Sequence, residues 1–221
     1  MSRIRRLIGE LGLGTALLYA AGQALSRWRG AALHDLLLYV QPVRDASLLP
    51  PGRGASIEVR SYDGAAALAA GLPCPREHTA GRQRPGMHCL AAFRGGRLIG
   101  FHWINLKTHT DELVRARYVG AAWSFHLHID PEHRGGLAFA RLTDASWELL
   151  RAHGRRQLAS YVAAWNRPAI AAEERLGGRR LGRALHLRLG RAQLVLASLP
   201  PYLHLSFSER GAPTFKLGES A

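Results

Sequence analysis

The clearest hydrophobic pattern in the sequence is an alternation that runs from residue 123 to residue 130. Its apolar positions are Trp123, Phe125, Leu127 and Ile129. Its polar positions are Ser124, His126, His128 and Asp130. This period of two predicts a strand with one apolar face, and Pro131 ends it because proline cannot donate a ladder hydrogen bond. After Gly135-Gly136 the apolar residues change to a helical spacing, so 125–152 predicts a strand, a sharp turn and a helix.

The remainder of the chain alternates short strands and helices. A hairpin is predicted at 90–101, because Gly95-Gly96 supplies the positive φ that a two-residue turn needs. Asn166 is expected to cap a helix that begins near Pro168. The other predicted elements are a strand at 56–60, a helix at 65–70, a strand or substrate loop at 113–119, a buried strand at 158–162, a hairpin at 183–198 and an edge strand at 202–207. In that last hairpin, 183–189 alternates with His186 and Arg188 on the predicted polar side.

Residues 1–50 differ in character and are interpreted as an amphipathic helical extension and linker in front of a domain at 51–221. Arginines precede an apolar run at 7–25, which Glu10 interrupts and which is shorter than the ~20 apolar residues that a spanning helix needs. Trp28 lies between two arginines, as at a membrane interface. Three interpretations stay open: a helix packed on the domain, peripheral contact of residues 1–30 with an anionic membrane surface, and a cleaved signal.

Composition describes a globular chain with excess positive charge. Of 221 residues, 47% are hydrophobic, which supplies a full core, and the formal net charge is +14. The basic set is almost entirely arginine, so the charge reflects either a compositional bias or an anionic partner. Cys74 and Cys89 lack metal-ligand or redox spacing, which favours a reduced, cytoplasmic setting. The histidines show no ligand spacing either, so no metal site is predicted.

A strand that ends in a glycine turn before a helix has a specific chemical meaning. Glycines allow backbone N–H groups to turn toward one point, and the first turn of a helix carries unsatisfied donors and the positive end of the dipole. Arg134 adds a fixed positive charge. The unit therefore predicts a pyrophosphate site, with a plain turn as the alternative.

Two segments carry a family resemblance. Residues 129–138, IDPEHRGGLA, resemble the acyl-CoA loop of the GNAT N-acetyltransferase superfamily, which runs Arg/Gln-x-x-Gly-x-Gly/Ala after a strand. With Gly136 and Ala138 at the last two key positions, His133 stands where the family has Arg or Gln. Residues 166–177, NRPAIAAEERLG, resemble the family's Asn-x-x-Ala-x-x-x-Tyr-x-x-x-Gly segment. Together with the order of elements over about 55–199, they identify the chain as a divergent member of the superfamily.

The resemblance implies an α/β (α+β) fold with a central mixed, mostly antiparallel sheet flanked by helices, plus the extra N-terminal helical segment. It also implies acetyl-CoA, or another acyl-CoA, as co-substrate. The main-chain amides of 134–139 would hold the pyrophosphate, and the strand edge near Ile129 would hold the pantetheine arm. The residues implied in acyl-CoA binding are Ile129, Arg134, Gly135, Gly136, Leu137, Ala138, Phe139 and Asn166.

Three residues are candidates for acid–base work. His126 and His128 lie on the polar side of the predicted strand, with ordinary pKa values near neutrality, and either could take a proton from the amine. Glu173 stands where the family commonly has a Tyr that protonates the leaving thiolate. Glu173 could serve only if burial raised its pKa. A solvated glutamate and a structural histidine are the alternatives.

Three functions are consistent with these residues. The first is an acyl-CoA-dependent N-acyltransferase, in which an amine of unknown identity attacks the thioester directly. The second is a degenerate GNAT-fold scaffold that binds without catalysis. The third, suggested by charge alone, is a nucleic-acid binder.

Overall fold

The computed structural model describes residues 12–73, 86–111, 113–134, 136–208 and 211–217. Two objects of the sequence analysis, Cys74 and residues 1–11, lie outside them. In chain order the elements are α1 (Leu13–Leu25), β1 (Ala31–Pro42), β2 (Glu58–Asp63), α2 (Gly64–Ala69), β3 (Met87–Arg94), β4 (Arg97–Asn105), β5 (His109–Asp111), β6 (Ala116–Val119), β7 (Ala122–Ile129), α3 (Leu137–Ala152), β8 (Gln157–Ala163), α4 (Arg167–Arg175), β9 (Arg179–Leu189), β10 (Ala192–Ala197), β11 (Leu203–Ser206) and β12 (Thr214–Lys216).

The chain divides into two compact units. Unit 1 comprises Met1–Gln41, Leu113–Arg117 and Tyr161–Lys216. Unit 2 comprises Pro42–Glu112, Tyr118–Ser160 and Leu217–Ala221.

Unit 2 has the strand order β8-β7-β4-β3-β2. The pairs β2–β3, β3–β4 and β4–β7 are antiparallel, and β7–β8 is parallel. Gly95 and Gly96, with φ of 56° and 79°, join β3 to β4, so the predicted hairpin is confirmed. A core cluster forms on one side of these strands from Ala67, Leu72, Met87, Cys89, Ala91, Phe101 and Trp103.

Unit 1 has the strand order β11-β10-β9-β1, with antiparallel pairing throughout. Asn166 caps α4, because its Oδ1 accepts a hydrogen bond from the Ala169 N–H at 3.3 Å, as predicted. The helix packs into a core cluster of Leu37, Tyr39, Val162, Ala164 and Ile170. The predicted mixed, mostly antiparallel sheet with flanking helices is therefore confirmed.

Strand β1 corrects the interpretation of residues 1–50. Residues 31–42 are neither helix nor linker but a strand paired with β9, and the strand is buried from Asp35 to Gln41. The continuous apolar run Leu36–Val40 is buried on both faces, and such a run cannot be assigned to strand or helix from periodicity alone. Only Leu13–Leu25 is helical in the described part of this segment. No helix among the described residues has both the length and the apolarity to cross a bilayer.

A buried histidine ties β4, β7 and α3 together within unit 2. The Nδ1 and Nε2 atoms of His102 lie 2.9 Å from Ser146 Oγ and 2.8 Å from Ser124 Oγ. Ser146 donates its own hydrogen to the Leu142 carbonyl at 2.6 Å, so it can only accept from His102. His102 is therefore neutral with its proton on Nδ1, and Ser124 donates to Nε2. Burial, and to a lesser degree the charge of His126, lowers the pKa of His102 to about 4.

This network predicts a loss of stability in mild acid. The pKa of His102 is near 6.5 when unfolded and about 4 when folded, so the folded state binds fewer protons below pH 6.5. The stabilisation is complete above pH 6.5 and is lost as the pH falls toward 4, a change of about 3 kcal/mol. Urea unfolding of the His102→Gln variant should lack this component of the pH dependence. Exposed His153→Gln is the control, and an identical acid slope in His102→Gln and the parent chain would refute the assignment.

Candidate active site

A β-bulge in β7 sets the faces of the strand on which the candidate base residues lie. His126 pairs with Trp103 and Ser124 pairs with Ile104, so the register skips Phe125. Residues that are paired across antiparallel strands share a face. His126 and His128 therefore lie on the face of Phe101 and Trp103, whereas Ser124 and Leu127 lie on the opposite face with His102.

The bulge corrects the predicted apolar face of β7. The alternation predicts that Trp123 and Leu127 share a buried face, but Trp123 is 1% exposed and Leu127 is 41% exposed. The reason is the extra residue, which reverses the phase of the alternation after Trp123. The prediction that His126 and His128 share a face is confirmed, because the Phe101 ring contacts both at centroid distances of 5.0 and 5.4 Å.

His128 has a carboxylate neighbour at the end of the strand. Its Nε2 lies 3.6 Å from Asp130 Oδ1, and its side chain is 41% exposed. Arg97 Nη2 lies 3.5 Å from Asp130 and 3.5 Å from Glu132. The Asp130 carboxylate therefore lies between His128 and Arg97, at the beginning of the following loop.

The loop after β7 presents unsatisfied donors at the start of α3. A single 3₁₀ turn at Pro131–His133 follows the strand, and Arg134 Nε then donates to the Ile129 carbonyl at 3.0 Å. Gly136 precedes the helix and provides no side-chain cap, and the first turn of α3 contains no acidic residue. Helix geometry leaves the amides of residues 137–139 without intrahelical acceptors. Gly135, implied by the resemblance, lies outside the described residues.

The other two predicted site residues belong to unit 1. Asn166 caps α4, and Glu173 Oε2 lies 3.4 Å from Gln41 Nε2. Buried Tyr39 lies near Glu173 and Glu174, and its pKa is raised, first by burial and then by the charge of Glu174. The roles of Asn166 and Glu173 toward acyl-CoA stay predictions.

Sequence reasoning missed a buried histidine–aspartate pair in unit 2. His109 Nε2 lies 3.8 Å from Asp111 Oδ2, and both side chains are buried. The His109 ring stacks on Phe125 and Trp123, with centroid distances of 4.9 and 5.6 Å. The two residues are two apart on a strand, so the His-x-Asp spacing was a visible signal for one shared face. No group of three His, Cys, Asp or Glu residues is placed to hold a metal ion in the described part of the chain.

The sequence is similar to those of known acetyltransferases. A mycothiol acetyltransferase from Corynebacterium glutamicum is 36% identical over 83 residues, which cover 38% of this chain and 25% of that protein. A mycothiol acetyltransferase from Streptomyces coelicolor is 30% identical over 198 residues, which cover 75% of this chain and 61% of that protein. These relatives agree with the resemblance of segments 129–138 and 166–177.

The relatives that this chain matches are named acetyltransferases, in agreement with its resemblance to the GNAT superfamily. No protein-family model matches it. Among solved structures, a tandem GNAT protein from the clavulanic acid biosynthesis pathway has 16% identity and a TM-score of 0.47, over 77% of this chain and 57% of that chain. This chain spans about a quarter of the length of the first relatives that it matches.

The close approach of the end of β7 to Gly100 on β4 predicts that Gly100 tolerates no side chain. A Cβ on Gly100 would lie 2.8 Å from the His128 carbonyl oxygen and 3.3 Å from the Ile129 side chain. Because a backbone atom is involved, β4 and β7 would have to separate, so Gly100→Ala should cost roughly 1–3 kcal/mol of unfolding free energy. Urea unfolding measures this cost. The control is Gly14→Ala on α1, where the new methyl meets nothing within 4 Å. Equal unfolding free energies for Gly100→Ala and the parent chain would contradict the prediction.

Proposed function

We propose that this protein is an acyl-CoA-dependent N-acyltransferase that moves an acetyl group from CoA to an amine. The observation that carries the proposal lies in unit 2, where the partly exposed His128 is followed within ten residues by uncapped amides at the start of α3. The sequence similarity to acetyltransferases supports it. The proposal concerns the reaction type; the acceptor is a separate matter.

The start of α3 is proposed to bind the pyrophosphate of acyl-CoA. The amides of Leu137, Ala138 and Phe139 supply donors, and the helix dipole adds positive potential at the same point. Gly136 carries no side chain that competes for these donors. Exposed Arg134 adds charge on the approach to the helix, while its Nε bond to Ile129 fixes the loop to the strand end.

His128 is proposed to act as the base for the acceptor amine. The amine nitrogen attacks the thioester carbonyl carbon, His128 takes the proton that this nitrogen loses, and the carbon–sulfur bond then breaks. CoA departs as a thiolate that takes up one proton, and the products are the N-acetyl amine and CoA. Asp130 Oδ1 lies 3.6 Å from the Nε2 atom of this imidazole. His126 stays a second candidate for this role on the same face of β7, and Glu173 stays a candidate for protonating the thiolate.

The acceptor that mycothiol acetyltransferases acetylate is the first one to test, because those proteins are the named relatives. Acetyl is the proposed acyl group on the same ground. The cytoplasmic setting predicted from the cysteines stays a prediction, and the described Cys89 is a free, buried thiol.

One backbone N–H group of the proposed pyrophosphate site can be removed by a substitution that preserves the helix. Leu137 is the first residue of α3, where proline is tolerated, and Gly136 before it is extended, as proline requires. Leu137→Pro should weaken acetyl-CoA binding about tenfold or more, because one hydrogen bond to a charged group contributes roughly 1.5–3 kcal/mol. Isothermal titration measures the affinity, and thermal shift provides an independent measure.

Leu137→Ala is the matched control, because it loses the side chain but keeps the N–H group. It should bind acetyl-CoA as the parent chain does. Equal loss in both variants would assign the effect to the leucine side chain, and full affinity in Leu137→Pro would remove the start of α3 from the proposal. Acetyl-CoA binding without turnover on any amine would favour the scaffold function instead.

The kinetics of turnover test the proposed base. His128→Gln should lower kcat by roughly 10²–10⁴-fold, with little change in the KM for acetyl-CoA. Steady-state kinetics measure both quantities. His153→Gln should change neither quantity. If His128→Gln keeps the parent kcat and His126→Gln does not, the base is His126.

A further inference from the structure

Seven leucines on β9, β10 and β11 lie on one face of the sheet in unit 1. Leu185 pairs with Leu196, which pairs with Leu203, and the neighbouring row contains Leu187, Leu194 and Leu205. Paired residues of antiparallel strands share a face, as do residues two apart on one strand. We refer to these residues as the leucine face: Leu185, Leu187, Leu189, Leu194, Leu196, Leu203 and Leu205.

The leucine face points toward solvent. None of its residues is buried, and the exposed fractions rise to 50% at Leu189, 58% at Leu205 and 64% at Leu203. On β9 and β10 several of the residues that alternate with them are buried instead, including His186 at 2% and Val195 at 0%. This corrects the prediction that His186 lies on the polar side of β9. An antiparallel sheet that has one solvated face normally places polar residues there, so an apolar outer face indicates a partner.

Helix α1 lies against β1 at Gly22, where a Cβ would lie 3.1 Å from the Leu33 carbonyl oxygen. Beside it, a groove of about 540 Å³ separates the helix from β9 and β10. The groove is lined by Gly14, Leu18, Arg183, Leu185, Leu196, Ala197, Ser198 and Tyr202. Leu13 and Leu17 on the same helix are 59% and 61% exposed, so apolar surface also continues along α1.

Positive charge borders one end of the leucine face. The Gly190 N–H donates to the Gly30 carbonyl at 2.8 Å, so the turn before β1 lies against the turn between β9 and β10. Arg27 and Arg29 lie in or next to the first turn, Arg191 lies next to the second, and all three are exposed. Between the two arginines of the first turn, the Trp28 side chain is 70% exposed.

Acidic residues do not offset this charge. The described residues of unit 1 include twelve Arg or Lys and three Asp or Glu. One of the three, Asp35, is buried and accepts two hydrogen bonds from Arg183, from Nε at 2.6 Å and from Nη2 at 2.5 Å. These bonds raise the pKa of Arg183, and they leave Asp35 unable to repel an anionic partner.

We propose that the leucine face docks on the surface of an anionic phospholipid membrane. Leucines and an exposed tryptophan would enter the boundary between headgroups and acyl chains, and the flanking arginines would contact lipid phosphates. Charge decides between this occupant and a second copy of the chain. Two copies would bring like-charged surfaces together, whereas an anionic bilayer complements both the apolar face and its border.

This surface differs from the one that the sequence analysis considered. That interpretation placed membrane contact on residues 1–30 alone. The proposed surface is centred on strands β9–β11, and α1 and the Arg27–Arg29 turn form its edge. Deleting residues 1–30 would therefore weaken the interaction without identifying its centre, and substitutions in β11 are the sharper test.

Flotation with vesicles tests the docking surface in the full chain. The chain should float with phosphatidylcholine vesicles that contain one third phosphatidylglycerol, and not with phosphatidylcholine alone. The double variant Leu203→Ser and Leu205→Ser should lower the partition coefficient at least about tenfold, because two apolar anchors are lost. The matched control, Leu203→Met and Leu205→Met, keeps the apolar surface and should float like the parent chain.

The charged border is tested separately. The double variant Arg27→Glu and Arg29→Glu should lose binding to the anionic vesicles, whereas Arg53→Glu in unit 2 should retain it. Brominated lipids should quench tryptophan fluorescence in the parent chain and much less in Trp28→Phe.

Three outcomes would overturn the proposal. The first is no flotation, and the second is equal flotation with neutral and anionic vesicles. The third is a concentration-dependent dimer in analytical ultracentrifugation that the serine variant abolishes, which would assign the face to a second copy. Circular dichroism of the serine variant must match that of the parent chain, and the Arg27→Glu and Arg29→Glu variant keeps the proposal testable if the serine variant unfolds.

Discussion

The bulge at Phe125 is the constraint on which the arrangement of unit 2 depends. One extra residue in β7 reverses the phase of the strand, so that Ser124 faces His102 while His126 and His128 face Phe101. The same reversal exposes Leu127. It also leaves His128 close to Asp130 at the end of the strand. A strand without the bulge would place Ser124 and His128 on the same face. The candidate base would then lie on the face that the buried His102 network occupies.

Unit 2 separates two uses of histidine by environment. His102 is held neutral by burial and by two hydroxyl groups, which suits a structural link between β4, β7 and α3. His128 is partly exposed beside the Asp130 carboxylate, where an acceptor amine can reach it. Both residues belong to adjacent strands of one sheet, so the direction of the side chain, rather than the residue type, assigns the role.

In unit 1 the apolar side of the alternation faces outward and the polar side is buried. On β9 and β10 the leucines point outward and His186 points inward, because the inner face packs around small and aromatic residues such as Ala184 and Phe215. An amphipathic alternation predicts that one face is buried, but it does not identify which face has a partner within the chain. The outward leucines and the nearby arginines together give unit 1 a surface unlike that of a chain that interacts only with water.

The sequence by itself determined the local elements and the resemblance to a family. The Gly95-Gly96 hairpin, the Asn166 cap, the strand–turn–helix at 125–152 and the GNAT resemblance all rest on neighbouring residues, whose turn and capping chemistry is local. Tertiary structure alone decided the bulge at Phe125, the strand at residues 31–42 and the outward leucine face. Each of these depends on which strand lies alongside, and that is fixed by pairing between residues far apart in the chain.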